Sequence, residues 1–191
     1  MKVSRQQAAA NRDKVVEVAS RLFRKHGFDG IGLADIMKAA GLTHGGFYGQ
    51  FGSKDDLAAE ACSRAIRKSW DVWVDPSTEG GFEAIVRNYL NPTHRSDRAH
   101  GCLFAALGSD IVRQPRSVRH SVTEGFRSTI DKLLSLMPGR SEAVRRKRAL
   151  ATMTGLVGAL ILSRAVDDPN LSDEILEAAT TAFGLPAEKT N

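Results

Sequence analysis

Cysteine is scarce in this chain of 191 residues: only Cys62 and Cys102 occur. Neither belongs to a Cys-x-x-Cys pair nor lies near a paired histidine spacing, which argues against a disulfide framework and a structural zinc site. Long apolar runs are missing too. The richest, Ala149 to Leu162, is interrupted by threonine and glycine and is too short to span a bilayer. The opening MKVSRQQAAANRDK has no apolar stretch of the secretory kind, so a cytoplasmic location is expected. Alternating β-branched runs are scarce, which leaves an all-α fold. No glycine-rich phosphate loop follows a strand, no nucleophile elbow appears, and the five histidines show no H-E-x-x-H spacing. An enzyme is not expected, nor a cofactor or metal.

What is present is an ordinary globular composition, 42% hydrophobic, with a net charge of +5. The charge favours a polyanionic partner, although basic chains are common and the charge alone decides nothing. The informative stretch is Ile36 to Leu57, IMKAAGLTHGGFYGQFGSKDDL. Ile36, Ala39 and Ala40 recur at helical spacing, and Gly41 stands where a helix ends in the left-handed conformation. Thr43 suits the N-cap of a second helix, predicted from about His44 to Phe51. Phe47 and Phe51 are four apart and share a buried stripe, while His44, Gly45, Tyr48 and Gly49 fall on the other side. Gly45, Gly46 and Gly49 should each cost that helix about 1 kcal/mol against alanine. Ser53 caps a third helix, whose Lys54 is misplaced on dipole grounds unless it joins the helix end in holding an anion.

These residues, in their flanks, are similar to the N-terminal DNA-binding domain of TetR/AcrR-type transcriptional repressors. The resemblance runs from Asn11 to Leu57 and rests on LFRKHGFDG (Leu22–Gly30) and LADIMKAAGLTHGGFYGQFGSKDDL (Leu33–Leu57). One departure is Gly32, a silent cap where the family usually has Thr or Ser opening the second helix. The resemblance implies that Tyr48 and Lys54 contact backbone phosphates, which fix register without reading sequence. The first turn of a recognition helix approaches base edges, so readout should fall on Thr43, His44 and Gln50, while Gly45 and Gly46 let the backbone come close. A pseudo-palindromic double-stranded DNA operator would be read by two heads roughly 34–36 Å apart, which requires a homodimer. The family pattern pairs the last two helices, where Ala151, Gly155, Gly158 and Ala159 permit close approach.

Along the chain, Met1 to Ala10 is polar and expected to be mobile. A first helix from Asn11 or Arg12 ends at Gly27, with Phe28 folding back on the core. The helix opened by Ser53 continues to about Trp70 and enters a second domain. PSTEGG (76–81) reads as a linker, Phe82 to Leu90 as a helix, and Thr93 to His100 as a loop. Helices follow over Gly101–Gln114, Ser117–Met137, Ser141–Val166 and from Ser172 to Gly184, about nine in all. The expected architecture is an N-terminal three-helix helix-turn-helix domain (1–58) joined by a fourth helix to a helical ligand-binding and dimerisation domain (59–191). The Arg145–Arg148 run reads as a solvated face.

Cys102 has two readings, an inert small hydrophobe or a redox sensor whose thiol pKa is lowered by a helix N-terminus, with His100 and Arg98 near. The function these residues suggest is a transcriptional repressor released by a small apolar inducer of unknown identity or by thiol modification. A helical protein-interaction module is the alternative; it explains the charge but not the Thr43–Lys54 constellation.

Overall fold

Helix ends in this protein sit on its capping residues, and the caps set the path of the chain. The computed structural model describes residues 4–73 and 81–184. Helix α1 (Arg5–His26) starts on Ser4, whose hydroxyl accepts the Gln7 N–H at 3.1 Å, and stops at Gly27. Residues 5–10, expected as a mobile arm, are therefore helical: an N-cap and a run of alanines extend the helix beyond its apolar stripe. Met1, Lys2 and Val3 lie outside the described residues. Phe28 folds back as expected, its ring 5.3 Å from that of Phe23.

Helix α2 (Leu33–Ala39) starts on Gly32, which makes no side-chain cap bond. It closes through Gly41, at φ 72°, with Leu42 N–H bonded to Met37 O and Gly41 N–H to Lys38 O, both at 2.9 Å. This is a Schellman closure, and the left-handed position calls for glycine. A 3₁₀ turn follows at His44–Gly46. Helix α3 (Lys54–Trp73) is capped by Ser53, which accepts the Asp56 N–H at 3.0 Å.

Beyond residue 80 come α4 (Gly81–Tyr89), α5 (Pro92–Ser96), α6 (Leu103–Ile111), α7 (Arg116–Leu134), α8 (Glu142–Ala165) and α9 (Pro169–Ala182). The linker expected at 76–81 falls outside the described residues except for Gly81. Helix α5 occupies part of the expected loop, because Asn91 accepts the His94 N–H at 2.8 Å and Pro92 takes the first helical position. The proline that stops one helix thus starts the next. Helix α9 begins earlier than Ser172, on Asp168 and Pro169, and Ser172 is buried with its hydroxyl donating to Ser163 O at 2.5 Å. Among the described residues there are nine α-helices and no strand. None is long and apolar enough to cross a membrane.

Two apolar cores result. The first gathers α1, α2, Phe47 and Phe51 after the 3₁₀ turn and most of α3, and continues into α6 and α7 through Leu103, Leu107, Ile111, Val118 and Val122. The second joins Trp73, α4 and the inner faces of α7, α8 and α9. Helix α3 belongs to both, and it lies along α7 for much of its length. The division expected at residues 58 and 59 therefore falls inside a continuous helix.

Candidate DNA-binding interface

The segment between α2 and α3 is held from beneath by two rings. Phe47 is fully buried and Phe51 nearly so, stacked with centroids 5.4 Å apart. Their burial forces the intervening residues outward. Tyr48 is 67% exposed, the signature of a side chain presented rather than packed. Its ring meets Phe47 edge-on at 5.2 Å and His44 edge-on at 6.0 Å, which fixes its direction without using its hydroxyl. Thr43, His44 and Gly45 are exposed beside it, with Gly46 half-buried against Met37.

The backbone of this segment is shorter in its helical order than expected. Only His44–Gly46 form a 3₁₀ turn, closed by Gly46 N–H to Thr43 O and Phe47 N–H to His44 O at 3.0 and 3.1 Å. A further turn, Phe51 N–H to Phe47 O at 3.0 Å, completes the descent to Ser53. The glycines account for the lost helical bonds, since each adds backbone entropy that one short turn cannot offset. Thr43 has the extended backbone of an N-cap but makes no side-chain cap bond, so its hydroxyl is available.

Two of the expected contact residues are engaged internally. Gln50 turns back, its amide donating to Gly46 O at 3.1 Å, which ties the 3₁₀ turn to the residues after it. Lys54 points its ammonium at Phe28 O, 2.6 Å away, and so latches α3 to the loop after α1. An ammonium carries three donors, and this bond uses one.

Arg12 is the residue that sequence reasoning missed. Its guanidinium lies 4.6 Å from the Phe51 ring centroid, donates to Gln50 O at 3.4 Å and pairs with Glu60. One side chain thereby connects α1, the end of the presented segment and α3. Periodicity marks it only as the polar start of a helix. Below it, Arg64 pairs with Asp13 and, at 3.6 Å, with Glu17, which Lys68 also reaches at 2.8 Å. Hydrogen bonding to Arg64 holds Asp13 below the usual carboxylate range. Partial burial raises Glu17, but Lys68 and Arg64 together outweigh it and leave its pKa lowered. Lys14 is likewise brought close: a side chain at Gly41 would meet its ammonium at 3.5 Å.

Cys102 lies elsewhere and in a different setting. It is fully buried, and burial pushes its thiol pKa up, the opposite of the activation expected from a helix N-terminus. His100 turns away to Asp97, Nδ1 to Oδ2 at 2.8 Å. The Cys102 N–H is instead bonded to His94 Nε2 at 2.9 Å, while His94 Nδ1 bonds Tyr89 O at 2.7 Å, so His94 is a neutral ring bridging two backbone groups. Cys62 is also buried, its pKa pushed up to about 12.

Beside this cluster is a cavity of about 460 Å³ lined in part by Trp73, Asn88, His94 and His100.

Residues 15–61 match the family described as bacterial regulatory proteins, tetR family. The HTH-type transcriptional regulator LmrA of Bacillus subtilis is 26% identical over 165 residues, 80% of this chain and 86% of that protein. AcrR of Shigella flexneri is 40% identical over 57 residues, 30% of this chain and 26% of that one. The HTH-type transcriptional repressor NemR of Escherichia coli is 24% identical over 125 residues, 62% of this chain and 63% of NemR. The crystal structure of its reduced form superposes with a TM-score of 0.71 at 20% identity, over 91% of this chain and 94% of that one. The family match spans the two buried rings and the presented tyrosine, and the fold match extends through the helices beyond. Residues 15–61 carry the tetR-family regulatory domain, and the chain as a whole is similar to TetR-family transcriptional regulators and shares their fold.

Proposed function

We propose that this protein is a dimeric repressor that binds a pseudo-palindromic operator through the segment Thr43–Gln50 and leaves it when a small molecule occupies the regulatory half. The presentation of Tyr48, fixed by ring contacts with its hydroxyl left over, is the observation that carries this reading. Tyr48 and Lys54 contact phosphates and set register. Thr43 and His44 reach base edges, and Gly45 and Gly46 let the backbone approach the duplex. Gln50, bonded to Gly46 O, supports the turn and reads a base only by giving up that bond. With so few reading side chains, the shape and deformability of the duplex carry a large part of specificity.

The last two helices are the pairing surface. Leu150, Ile161 and Leu162 of α8 and Leu171 of α9 are exposed although large and apolar, and a side chain added at Gly158 would meet nothing in its own chain. Gly155 has a different task, since an added Cβ would lie 2.9 Å from the Phe183 ring of α9. For release, the sealed Cys102 favours a ligand over thiol chemistry. An aromatic molecule stacked on Trp73 in the cavity at the end of α3, with Asn88 and His100 beside it, would shift the population of head orientations.

The test is binding to duplex DNA from upstream of the protein's own gene, titrated against salt, with Tyr48→Ala in parallel. Affinity that falls steeply with salt and drops about tenfold or more in the variant supports the reading. Equal weak binding of both proteins to any duplex, and no enriched sequence after selection from random duplexes, would overturn it in favour of a protein-interaction module.

A further inference from the structure

A second cavity, of about 400 Å³, opens where the end of α1 meets α6 and α8. Arg24, Lys25, Arg98 and Arg164 line it with His26 and a single carboxylate, Asp110. That carboxylate is already paired with Arg113 at 2.6 Å. Four permanent positive charges thus face one another around a space with little to balance them.

Two of them are fixed in place. Arg24 is only 5% exposed, and it donates to Ser20 O at 3.1 Å and to Gly101 O at 2.7 Å. Arg164 donates to Arg95 O at 2.9 Å and His94 O at 2.7 Å, and its remaining Nη1 is buried without a partner. Both guanidiniums grip the chain between His94 and Gly101 from different helices, and Arg98 stands within that segment. Carbonyl oxygens satisfy N–H groups but do not cancel a net charge, so a buried cation held this way still pays for its lost hydration. Desolvation lowers the pKa of Arg24 and of Arg164, and Arg98 lowers that of Arg164 further. Nearby carboxylates do not resolve this: Glu17 is taken by Lys68 and Arg64, and Asp97 by His100. The rest of the wall is small and apolar, with Ile161 and the alanines of α6 and α8.

We propose that this cavity is a binding site for a small dianion, a phosphate or a dicarboxylate, held by Arg24, Arg98 and Arg164. Guanidiniums already oriented by backbone bonds present their free N–H groups to oxyanion oxygens with little ordering cost. The volume suits a small metabolite. An occupant would touch α1 of the head and α6 and α8 of the regulatory half together, so it would brace the joint between them. Binding itself does not depend on how the protein reads DNA.

The experiment uses the full chain at about pH 8. Thermal unfolding and calorimetric titration are run with inorganic phosphate and with succinate, against chloride at matched ionic strength. Arg98→Glu and Arg98→Lys are the variants, because Arg98 is exposed and its side chain makes no hydrogen bond or ion pair among the described residues. Saturable binding of one phosphate or succinate per chain, raising the melting temperature as a native-state ligand must, is the expected result. Arg98→Glu should weaken it about tenfold or more, Arg98→Lys much less, with the anion-free melting temperature preserved in both. Preference for phosphate or for succinate identifies the chemical source. Equal stabilisation by chloride, unchanged affinity in Arg98→Glu, or no saturable binding of either anion would overturn the proposal.

Discussion

The head and the regulatory half handle charge in opposite ways. In the head, α1 and α3 are joined by cations facing carboxylates: Arg12 with Glu60, Arg64 with Asp13 and Glu17, Lys68 with Glu17. In the regulatory half, Arg24 reaching in from α1 and Arg164 are held by carbonyl oxygens, and a neutral His94 bridges two backbone groups. Paired surface charges contribute modestly and are screened by salt, whereas buried polar groups are costly once a partner is lost. The head should therefore tolerate single charge substitutions. The segment from His94 to Gly101 should not tolerate loss of its clamps.

The largest expected effect tests whether the head behaves as a unit. At Gly30 an added Cβ would lie 2.0 Å from His26 O, a backbone atom that cannot rotate away. Gly30→Ala should cost about 3 kcal/mol or more in denaturant unfolding. Hydrogen exchange should quicken across residues 11–57 and stay slow in α8; equal quickening in both would erase the contrast.

Next comes His94→Ala, which leaves Tyr89 O and the Cys102 N–H buried without their partner and should cost about 2–3 kcal/mol by urea titration. The same residue sets a pH dependence. Burial holds its folded pKa below the ordinary 6.5, so the unfolded chain takes up the proton first. Stability from this source is full above the ordinary value and falls as pH drops from there towards the folded pKa. Melting temperature measured between about pH 7 and 5 should decline in the wild type and decline less in the variant.

The α1–α3 pairs respond in a lower window. Asp13 and Glu17 have folded pKa values below their ordinary 3.8 and 4.5, so their contribution is complete above those values and is lost as pH falls through the folded ones. Acid melting curves below about pH 4 should show that loss, and Arg64→Gln should reduce it while costing about 1 kcal/mol or less near neutrality. The smallest effect is at Gly45, where an added Cβ meets nothing within 4 Å. Gly45→Ala should stabilise the head by up to about 1 kcal/mol in thermal melts, and a destabilised variant would show that the turn needs its glycine for shape.

Much of the head was legible because its determinants are local. The spacing of Phe47 and Phe51, the glycine after Ala40 and the phenylalanine after Gly27 each act within a few residues, and each appears where the pattern placed it. What the sequence left unread has a different cause. Lys54 finds Phe28 O across 26 residues, and Arg24 finds Gly101 O across 77, distances at which a helical stripe carries no information. Cys102 kept two readings, an inert hydrophobe and a redox sensor, because its burial is decided by His94 and the second core rather than by its helix position. Asn91-Pro92 shows a subtler limit: the same residues stop one helix and cap another, and the sequence signal for the second was present but read only as the first.

Helix α3 is also a lever. At 1.5 Å per residue its 20 residues span about 30 Å, from Trp73 on the wall of the larger cavity to Lys54 beside the presented turn. A tilt of about 5° at the Trp73 end carries the other end through roughly 2.5 Å, by the geometry of a rod of that length. That displacement is nearly as long as the bond from Lys54 to Phe28 O, so the latch must break or the loop after α1 must travel with the helix. An event that is small at the Trp73 end is thereby large where the lysine sits.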